Sequence, residues 1–528
     1  MWQTRAAWAV IAIVTLHSLW YARESIAVDR GDAYADCFVL VSGKHFAEEG
    51  FSACKWLPVH QPGPLDDPPQ VYTHYPPLPD WVNGFQRIAF GWDSLFQFRL
   101  LPIAFTAIGY WAWFLFCRRV FGSTAAVVSL AYLATRQMNG DLADCIHGHA
   151  YHEALRLAGF YLLVCFAHSS STMKGSVSSS YGFLLAVLFA NAYASYESIL
   201  DLQIFAWGYL LWVRRIRWSW KWLGIAAAPI VAFMLQQMLN IWAVGWDHLS
   251  DIRGTLVNRM TGEISVGENE TGMLGYPSFL ASRFEELTGV HALVVIALVA
   301  YAFLGRRVNG EGSEKFKTLT LIGIAGVSWW LIFPSHTVIH WFTFRHILPF
   351  LAALVGMSVA VAFKTNRQPG QVGSSMGQKT RILVACLILS LVLWAFCTET
   401  FLRRSAPVTV TLTDTVLHGI RDGTDRDDIV LTNWNRVPLV RYGTDRRAYR
   451  AATVREFNQM IEEVRTRWGG ARSVSIFAYR EDRDHRRKPE TDPVFVYLSE
   501  RFESEDHGDW TLFQLEFVRR ALSTAGEW

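Results

Sequence analysis

Charge is scarce in this chain. Asp, Glu, Lys and Arg make up 18% of its 528 residues, against about 25% in an average soluble domain. The charges nearly cancel, leaving +3, so there is no electrostatic reason to invoke nucleic acid. The seven cysteines show no metal-ligand spacing. Cys117, Cys165, Cys386 and Cys397 fall in or beside apolar runs and read as packing residues. Cys37 and Cys54 share one loop, where an oxidising compartment would let them pair. No internal repeat is present, and the charged tail has no Gly-rich phosphate loop, nucleophile elbow or zinc spacing. No small-x-small cleavage site follows the apolar run 6–21. That run ends in Trp20-Tyr21, which suits an interfacial anchor, so it reads as an uncleaved first span.

What the chain has in abundance is apolar sequence. Hydrophobic residues make up 51% of it, with 23 Trp and 34 Phe. Runs of membrane-spanning length recur to about residue 402, and the rest is charge-rich. The expected fold class is therefore a polytopic α-helical membrane protein with a small C-terminal α/β soluble domain. Eleven spans are expected, at 6–21, 99–117, 123–136, 150–167, 181–198, 200–213, 222–243, 288–304, 318–333, 345–363 and 382–401. The run 181–213 is too long for one span and divides near Glu197 and Asp201.

Basic residues gather before span one (Arg5) and after span two (Arg118, Arg119), span six (Arg214, Arg215, Arg217, Lys221), span eight (Arg306, Arg307) and span ten (Lys364, Arg367). With eleven spans all fall on one side, which the positive-inside rule makes the cytoplasm. The N-terminus is then cytoplasmic. The loops 22–98 and 244–287 and the tail lie on the extracytoplasmic side. The expected domains are a membrane module, 1–404, and an extracytoplasmic α/β domain, 405–528.

The first loop carries most of the signal. Apolar residues from 32 to 49 recur at helical spacing (Tyr34, Phe38, Val41, Phe46), with Gly50 as the stop. Asp32 and Asp36 share one face of that helix. An extended Pro-rich strip, 58–79, follows. Asp80 is then expected to cap an amphipathic segment, 81–92, suited to a membrane interface. In the tail, 408–412, 429–432, 473–478, 494–498 and 511–518 read as strands. Thr453-Val454-Arg455-Glu456 is a capping box opening a helix to about Trp468.

Three polar clusters converge on the same expected face: Asp29/Asp32/Asp36, His147/His149/Glu153 and His336/His340/Arg345/His346. Ionisable groups at membrane depth are costly, so their clustering is a functional signal.

An acid soon after the first span, followed by Tyr72-Thr73-His74-Tyr75-Pro76-Pro77-Leu78 and Trp81, resembles the GT-C membrane glycosyltransferases. The nearest groups by pattern are the protein O-mannosyltransferases and aminoarabinose transferases. Phe344-Arg345-His346-Ile347-Leu348-Pro349 resembles a late-span motif of that family, and the likeness covers roughly 6–400. The chain departs from the family where Ala33 follows Asp32, in place of Asp-Glu. It departs again where Tyr75 precedes the Pro-Pro and His74 stands one residue earlier. Asp29, Asp32 and Asp36 all stay candidates for the family's acid, and Asp32-Ala33-Tyr34 fits its spacing best.

The resemblance implies an enzyme moving a hexosyl or pentosyl group from a polyprenyl-phosphate donor to a lipid, protein or glycan acceptor. It places that reaction at the outer face; the short loops and the absence of an obvious retention signal point to a bacterial inner membrane. A carboxylate there would act as general base on the acceptor, and cations would take up the departing phosphate. The donor-phosphate candidates are Arg345, for its bidentate fork, then His346 and Arg259. Arg345 also suits a snorkelling role at a helix end. His74, Tyr75, His147, His149, Glu153 and His340 are the expected substrate contacts. A divalent metal, magnesium or manganese, is compatible with the acids, though no spacing demands one. The rival readings are a transporter or flippase, which would place charge near the midplane, and a non-catalytic assembly protein working through its tail.

Overall fold

In a computed structural model, the structure describes residues 2–28, 31–63, 65–66, 68–172, 178–216, 219–261, 265–266, 269–270, 276–281, 311–364, 407–468, 473–481 and 489–515. The chain divides into two compact units. The first comprises Met1–Arg23, His74–Leu78 and Arg99–Leu402; the second comprises Glu24–Thr73, Pro79–Phe98 and Arg403–Trp528.

The first unit is helical. Its elements are α1 (Trp2–Tyr21), most of α4 (Leu95–Val120), α5 (Ser123–Ala134), the short α6 (Gln137–Leu142), α7 (His149–Thr172), α8 (Ser178–Ala194), α9 (Glu197–Gly208), α10 (Lys221–Val244), α11 (His248–Thr261), α12 (Glu311–Ile332), α13 (Pro334–Ile339) and α14 (Leu348–Lys364). Nine of the eleven expected spans coincide with these helices. The spans 288–304 and 382–401 lie outside the described residues. The division of 181–213 falls at Ser195-Tyr196, where Ser195 Oγ accepts from the Glu197 N–H at 3.3 Å. By length and composition, 3 helical stretches among the described residues are apolar enough to cross a bilayer: Leu95–Val120, Lys221–Val244 and Phe342–Ala360.

The helices pack through one continuous apolar core that includes Trp113, Phe116, Phe160, Phe205, Trp222 and Leu351. Lipid supplies little hydrophobic drive between helices, so small residues and buried hydrogen bonds carry the packing. A Cβ on Gly109 of α4 would stand 2.7 Å from the Ala154 Cα of α7. The buried Trp113 indole donates to Ser129 Oγ of α5 at 2.9 Å.

The second unit joins the first loop to the tail. In it, α2 (Ala33–Glu48) starts where Asp32 Oδ1 accepts from the Ala35 N–H at 3.2 Å, a side-chain cap. It ends before Gly50, whose φ of +89° a side chain would resist. The tail holds α15 (Pro407–Asp422), β1 (Ile429–Thr432), α16 (Val437–Thr444), β2 (Arg447–Arg450), α17 (Val454–Trp468), β3 (Val474–Arg480), α18 (Pro493–Ser499), β4 (Ser504–Asp506) and β5 (Trp510–Gln514). The sheet order is β2-β1-β3-β5-β4. β1 is parallel to β2 and β3, while β5 is antiparallel to β3 and β4. Helix α2 packs on α16, where the Lys44 ammonium meets Asp445 at 2.6 Å. Arg447 is paired to the loop's Asp66 at 2.8 Å.

Four expectations give way to the structure. Residues 408–412 lie in α15, not a strand: Val416, Leu417 and Ile420 are buried at helical spacing, and that longer apolar face overrides the local β-branched alternation. Residues 494–498 form α18, not a strand. Asp492 Oδ1 accepts from the Val494 and Phe495 N–H groups at 2.8 and 3.3 Å, and Pro493 opens the helix. Cys37 and Cys54 are buried and are not bridged to each other. Cys54 packs with Phe46 and Val59, and burial pushes its thiol up to about 11. Asp80 is not a cap: α3 (Leu78–Phe90) begins ahead of it, leaving Asp80 buried in the first turn. The capping box, by contrast, forms with Glu456 N–H donating to Thr453 Oγ1 at 3.1 Å and the Ala452 N–H to Glu456 at 2.7 Å.

Helix α3 is amphipathic in an unusual sense. Its polar residues Asp80, Asn83 and Gln86 are buried, while Phe85, Ile88 and Phe90 are exposed. An outward apolar face of this kind suits a lipid surface. Burial pushes the Asp80 carboxyl up to about 7. The neutral carboxyl therefore contributes stability that is fully present below pH 3.8 and is lost as pH rises through about 7. Asp80→Asn should stabilise the full chain by about 4 kcal/mol at pH 8, with the gain shrinking at pH 5. Denaturant unfolding in detergent, followed by tryptophan fluorescence at both pH values, checks this.

Candidate functional site

Helix α7 opens with ionisable residues at helical spacing: His149, His152, Glu153 and Arg156 lie within two turns and on one face. All four are buried, with Arg156 1% exposed. Helix α9 brings Glu197 and Asp201, four apart and also buried. The 3-10 segment Trp341–Ile347 brings Arg345 and His346. This segment can approach because α12 has a glycine behind it: a Cβ on Gly326 would stand 2.6 Å from the His346 carbonyl oxygen.

Arg156 is the hub. Its Nε and Nη2 each donate to the Glu153 carboxylate at 3.0 Å, a bidentate pair. Its Nη1 donates to Asp201 Oδ2 at 2.7 Å and to the His346 carbonyl at 3.2 Å. Arg345 stands beside it, with Nη1 donating to the His149 carbonyl at 3.0 Å. Arg345 Nη2 donates to His152 Nε2, and its Nε lies 3.6 Å from Glu153. His346 sits between two carboxylates, with Nδ1 on Asp201 and Nε2 3.4 Å from Glu197. Only the imidazolium has two N–H donors to offer them. With that ring charged, Arg156, Arg345 and His346 balance Glu153, Glu197 and Asp201.

The cluster continues outward through His336, whose Nε2 is 3.9 Å from Glu197 Oε1. The Trp329 indole donates to His336 Nδ1 at 3.1 Å. That nitrogen is therefore the acceptor, and the ring is neutral with its proton on Nε2. Burial pushes this imidazole down to about 3, against the opposing pull of Glu197. The Tyr75 hydroxyl lies 3.4 Å from His336 Nε2. Above the Tyr75 ring stands the Arg259 guanidinium, 5.6 Å from the centroid. A continuous polar path thus runs from a half-buried arginine on α11 to a fully buried one on α7. Beside Arg345, His149 and Glu153 lies a cavity of about 20 Å³, room for one water.

The residues expected from sequence distribute as follows. Arg345, His346 and Glu153 meet in the buried cluster. His149 lends it a backbone carbonyl and packs its ring on Phe342 at 4.3 Å. His147 lies 5.1 Å from the His149 ring and 6.0 Å from Tyr75. His340 stacks 4.4 Å from His336. Arg259 and Tyr75 form the outer end of the path, and His74 is exposed beside them. In the other unit, Asp32 caps α2 and Asp36 is buried, 2% exposed, in its first turn. Asp29 lies outside the described residues.

Arg156, His152, Glu197 and Asp201 stand outside the set expected from sequence. Their signal is nonetheless present: each is an ionisable residue inside or at the edge of an apolar run, a functional candidate by default.

Ligand atoms of His152, Glu197 and His346 lie within 4.8 Å of one another, close enough to suggest a metal. Two imidazoles suit zinc rather than magnesium or manganese, which prefer oxygen. Yet Arg345 donates into the His152 imidazole, and both His346 nitrogens face carboxylates. With both nitrogens turned to carboxylates, the His346 imidazolium has no lone pair to give a divalent ion, so this trio as arranged does not fit one.

No protein-family model matches this chain, and no curated protein matches it by sequence. Solved structures do. The archaeal oligosaccharyltransferase AglB from Archaeoglobus fulgidus, in complex with an inhibitory peptide and a dolichol-phosphate, is similar over 90% of this chain and 69% of its own, with a TM-score of 0.57 and 11% identity. ArnT from Cupriavidus metallidurans, bound to undecaprenyl phosphate, is similar over 96% of this chain and 97% of its own, with a TM-score of 0.56 and 12% identity. The likeness shows that this chain shares the fold of these two structures.

Removing one partner from a buried ionic network strands the others without compensation. Arg156→Met should therefore cost about 3–5 kcal/mol and appear as a lower melting temperature and reduced yield of folded protein in detergent. A melting curve unchanged by Arg156→Met would refute the hub.

Proposed function

We propose that the chain is a glycosyltransferase that moves a sugar from a polyprenyl-phosphate donor to an acceptor hydroxyl at the extracytoplasmic face of a membrane, most naturally a bacterial inner membrane. The observation that carries this reading is the polar path from Arg259 through Tyr75 and His336 to the Arg156 cluster, in a fold otherwise solved with polyprenyl phosphates bound. An anionic lipid head entering such a site needs fixed cations and a rigid shell behind them.

The chemistry is a displacement at the anomeric carbon. A carboxylate takes the proton of the acceptor hydroxyl as its oxygen attacks. The bond from the anomeric carbon to the phosphate oxygen breaks, and the polyprenyl phosphate leaves with the bonding pair. Asp32 is the proposed base, with Asp36 and Asp29 as its acidic neighbours. It is half-buried, and its carboxylate accepts from the Ala35 N–H at the start of α2. Arg259 is the proposed first contact of the departing phosphate, since it is half-buried and its guanidinium lies on an aromatic face. Arg345 and His346 stand behind it as the positive end of the network. His74, His147, His149, Glu153 and His340 shape the approach.

Mass spectrometry of polyprenyl-phosphate sugars that accumulate in a deletion strain identifies the donor. With that donor and membranes carrying the full chain, Asp32→Asn should lower transfer by about 10²–10⁴-fold while donor binding persists. Arg259→Gln should weaken donor use without unfolding the protein. Transfer undiminished in both variants would sink the assignment.

A further inference from the structure

A second, separate cavity lies within the loop-and-tail unit, bounded by α2, α3 and the residues around α16. Its volume is about 370 Å³, in the range of small-molecule sites, roughly 300–1,000 Å³. None of the residues assigned to sugar transfer lines it, so it stands independently of that reading.

Its walls carry charge of both signs. Lys44, Arg87, Arg421 and Arg426 face Glu48, Asp93 and Asp445. Part of this charge is already neutralised. Lys44 lies 2.6 Å from Asp445 and 4.0 Å from Glu48. Arg426 lies 3.6 Å from Glu48 and 3.9 Å from Asp445. Two arginines are left over. Arg87 is half-buried on α3 and lies over the Phe98 ring, 4.4 Å away. It donates to neutral oxygens, Asn83 Oδ1 at 3.2 Å and the Leu40 carbonyl at 3.3 Å. Among the described residues no carboxylate is in ion-pair contact with it, and Glu48 and Asp93 act on it only from farther off. Arg421, at the end of α15, is exposed, and among the described residues its side chain bonds only the His418 ring.

A guanidinium that lines a cavity without a carboxylate in contact is a half-made ion pair, and an oxyanion completes it. A bare phosphate would leave most of this volume to water. The carboxylates of Glu48, Asp93 and Asp445 are acceptors suited to hydroxyl donors, and the Tyr442 ring adds an aromatic wall. We propose that this cavity binds a small polyhydroxylated anion, a saccharide carrying a phosphate or carboxylate. In this arrangement Arg87 grips the anionic group, Arg421 stands at the rim, and the acids hold the hydroxyls. The same chemistry is offered by a soluble sugar acid or sugar phosphate and by the head of an anionic glycolipid or phosphoinositide.

The test is calorimetric titration of the purified full chain in detergent with glucose 6-phosphate, glucuronate and, as the neutral control, glucose. At least one anionic probe should bind about tenfold or more tightly than glucose. Arg87→Gln and Arg421→Gln should each weaken that binding by about tenfold, and Arg87→Lys should restore part of it. Arg421 is exposed, so its variant keeps the test decisive should Arg87→Gln fold poorly. Displacement of the bound probe by nanodiscs containing phosphatidylinositol would assign the ligand to a lipid head; persistence of binding would assign it to a soluble saccharide. The proposal is overturned if neither anion binds the wild-type chain, or if both glutamine variants bind as tightly as wild type.

Discussion

The membrane unit depends on how one guanidinium is neutralised. Arg156 lies inside an apolar helix, where an uncompensated charge would cost several kcal/mol. Glu153 from its own helix and Asp201 from α9 share that charge. Satisfying Arg156 therefore ties α7 to α9, and its bonds to the His346 and Arg345 carbonyls tie both to the start of α14. Three segments far apart in sequence are held in one register by hydrogen bonds that have no water to fall back on. Such networks cost stability relative to a well-packed apolar core, and they are retained where geometry must be fixed. The glycine at 326 belongs to the same constraint, because the backbone carrying His346 passes where a side chain would stand.

That rigid base explains how a site can be positioned at the end of the helices. Arg345 and His346 are locked by second partners, and His336 is held as a neutral ring by the Trp329 indole. Tyr75 and Arg259, farther out, have fewer constraints and more exposure. Positive charge is thus graded from buried and paired to half-buried and available. An anionic lipid head approaching from outside would meet the available charge first and would not need to break the paired one.

Much of this is legible in the sequence, and the exceptions have physical causes. Asp32, read as part of helix α2, proves to be its cap, but the helix and its Gly50 stop follow from spacing alone. So does the Thr453 box. The alternating run at 408–412 misleads because β-propensity reports local fit, whereas the buried Val416, Leu417 and Ile420 farther along decide the element. At 494–498 the decisive signal is the Asp492-Pro493 pair just upstream, a helix start that outweighs a Val-Phe-Val-Tyr run. The expected site residues Arg345, His346 and Glu153 do meet, but their organiser, Arg156, hides in an apolar run whose hydropathy reads as an ordinary span. Its i+3 relation to Glu153 is visible in the sequence; its pairing to Asp201, forty-five residues on, is not. Asp80 shows the reverse problem: an acid before an amphipathic segment suggests a cap, and only the fold reveals that the polar face of α3 is the buried one.

If the chain works as proposed, the outer end of this polar path receives the phosphate of a membrane lipid. Cryo-electron microscopy of the full chain in nanodiscs loaded with undecaprenyl phosphate measures this directly. Phosphate density should stand against the Arg259 guanidinium and the Tyr75 hydroxyl, with the Arg156 cluster unmoved behind it. Phosphate density beside Arg118, Arg119 or Arg214 instead, with the Arg259–Tyr75 end empty, would contradict it.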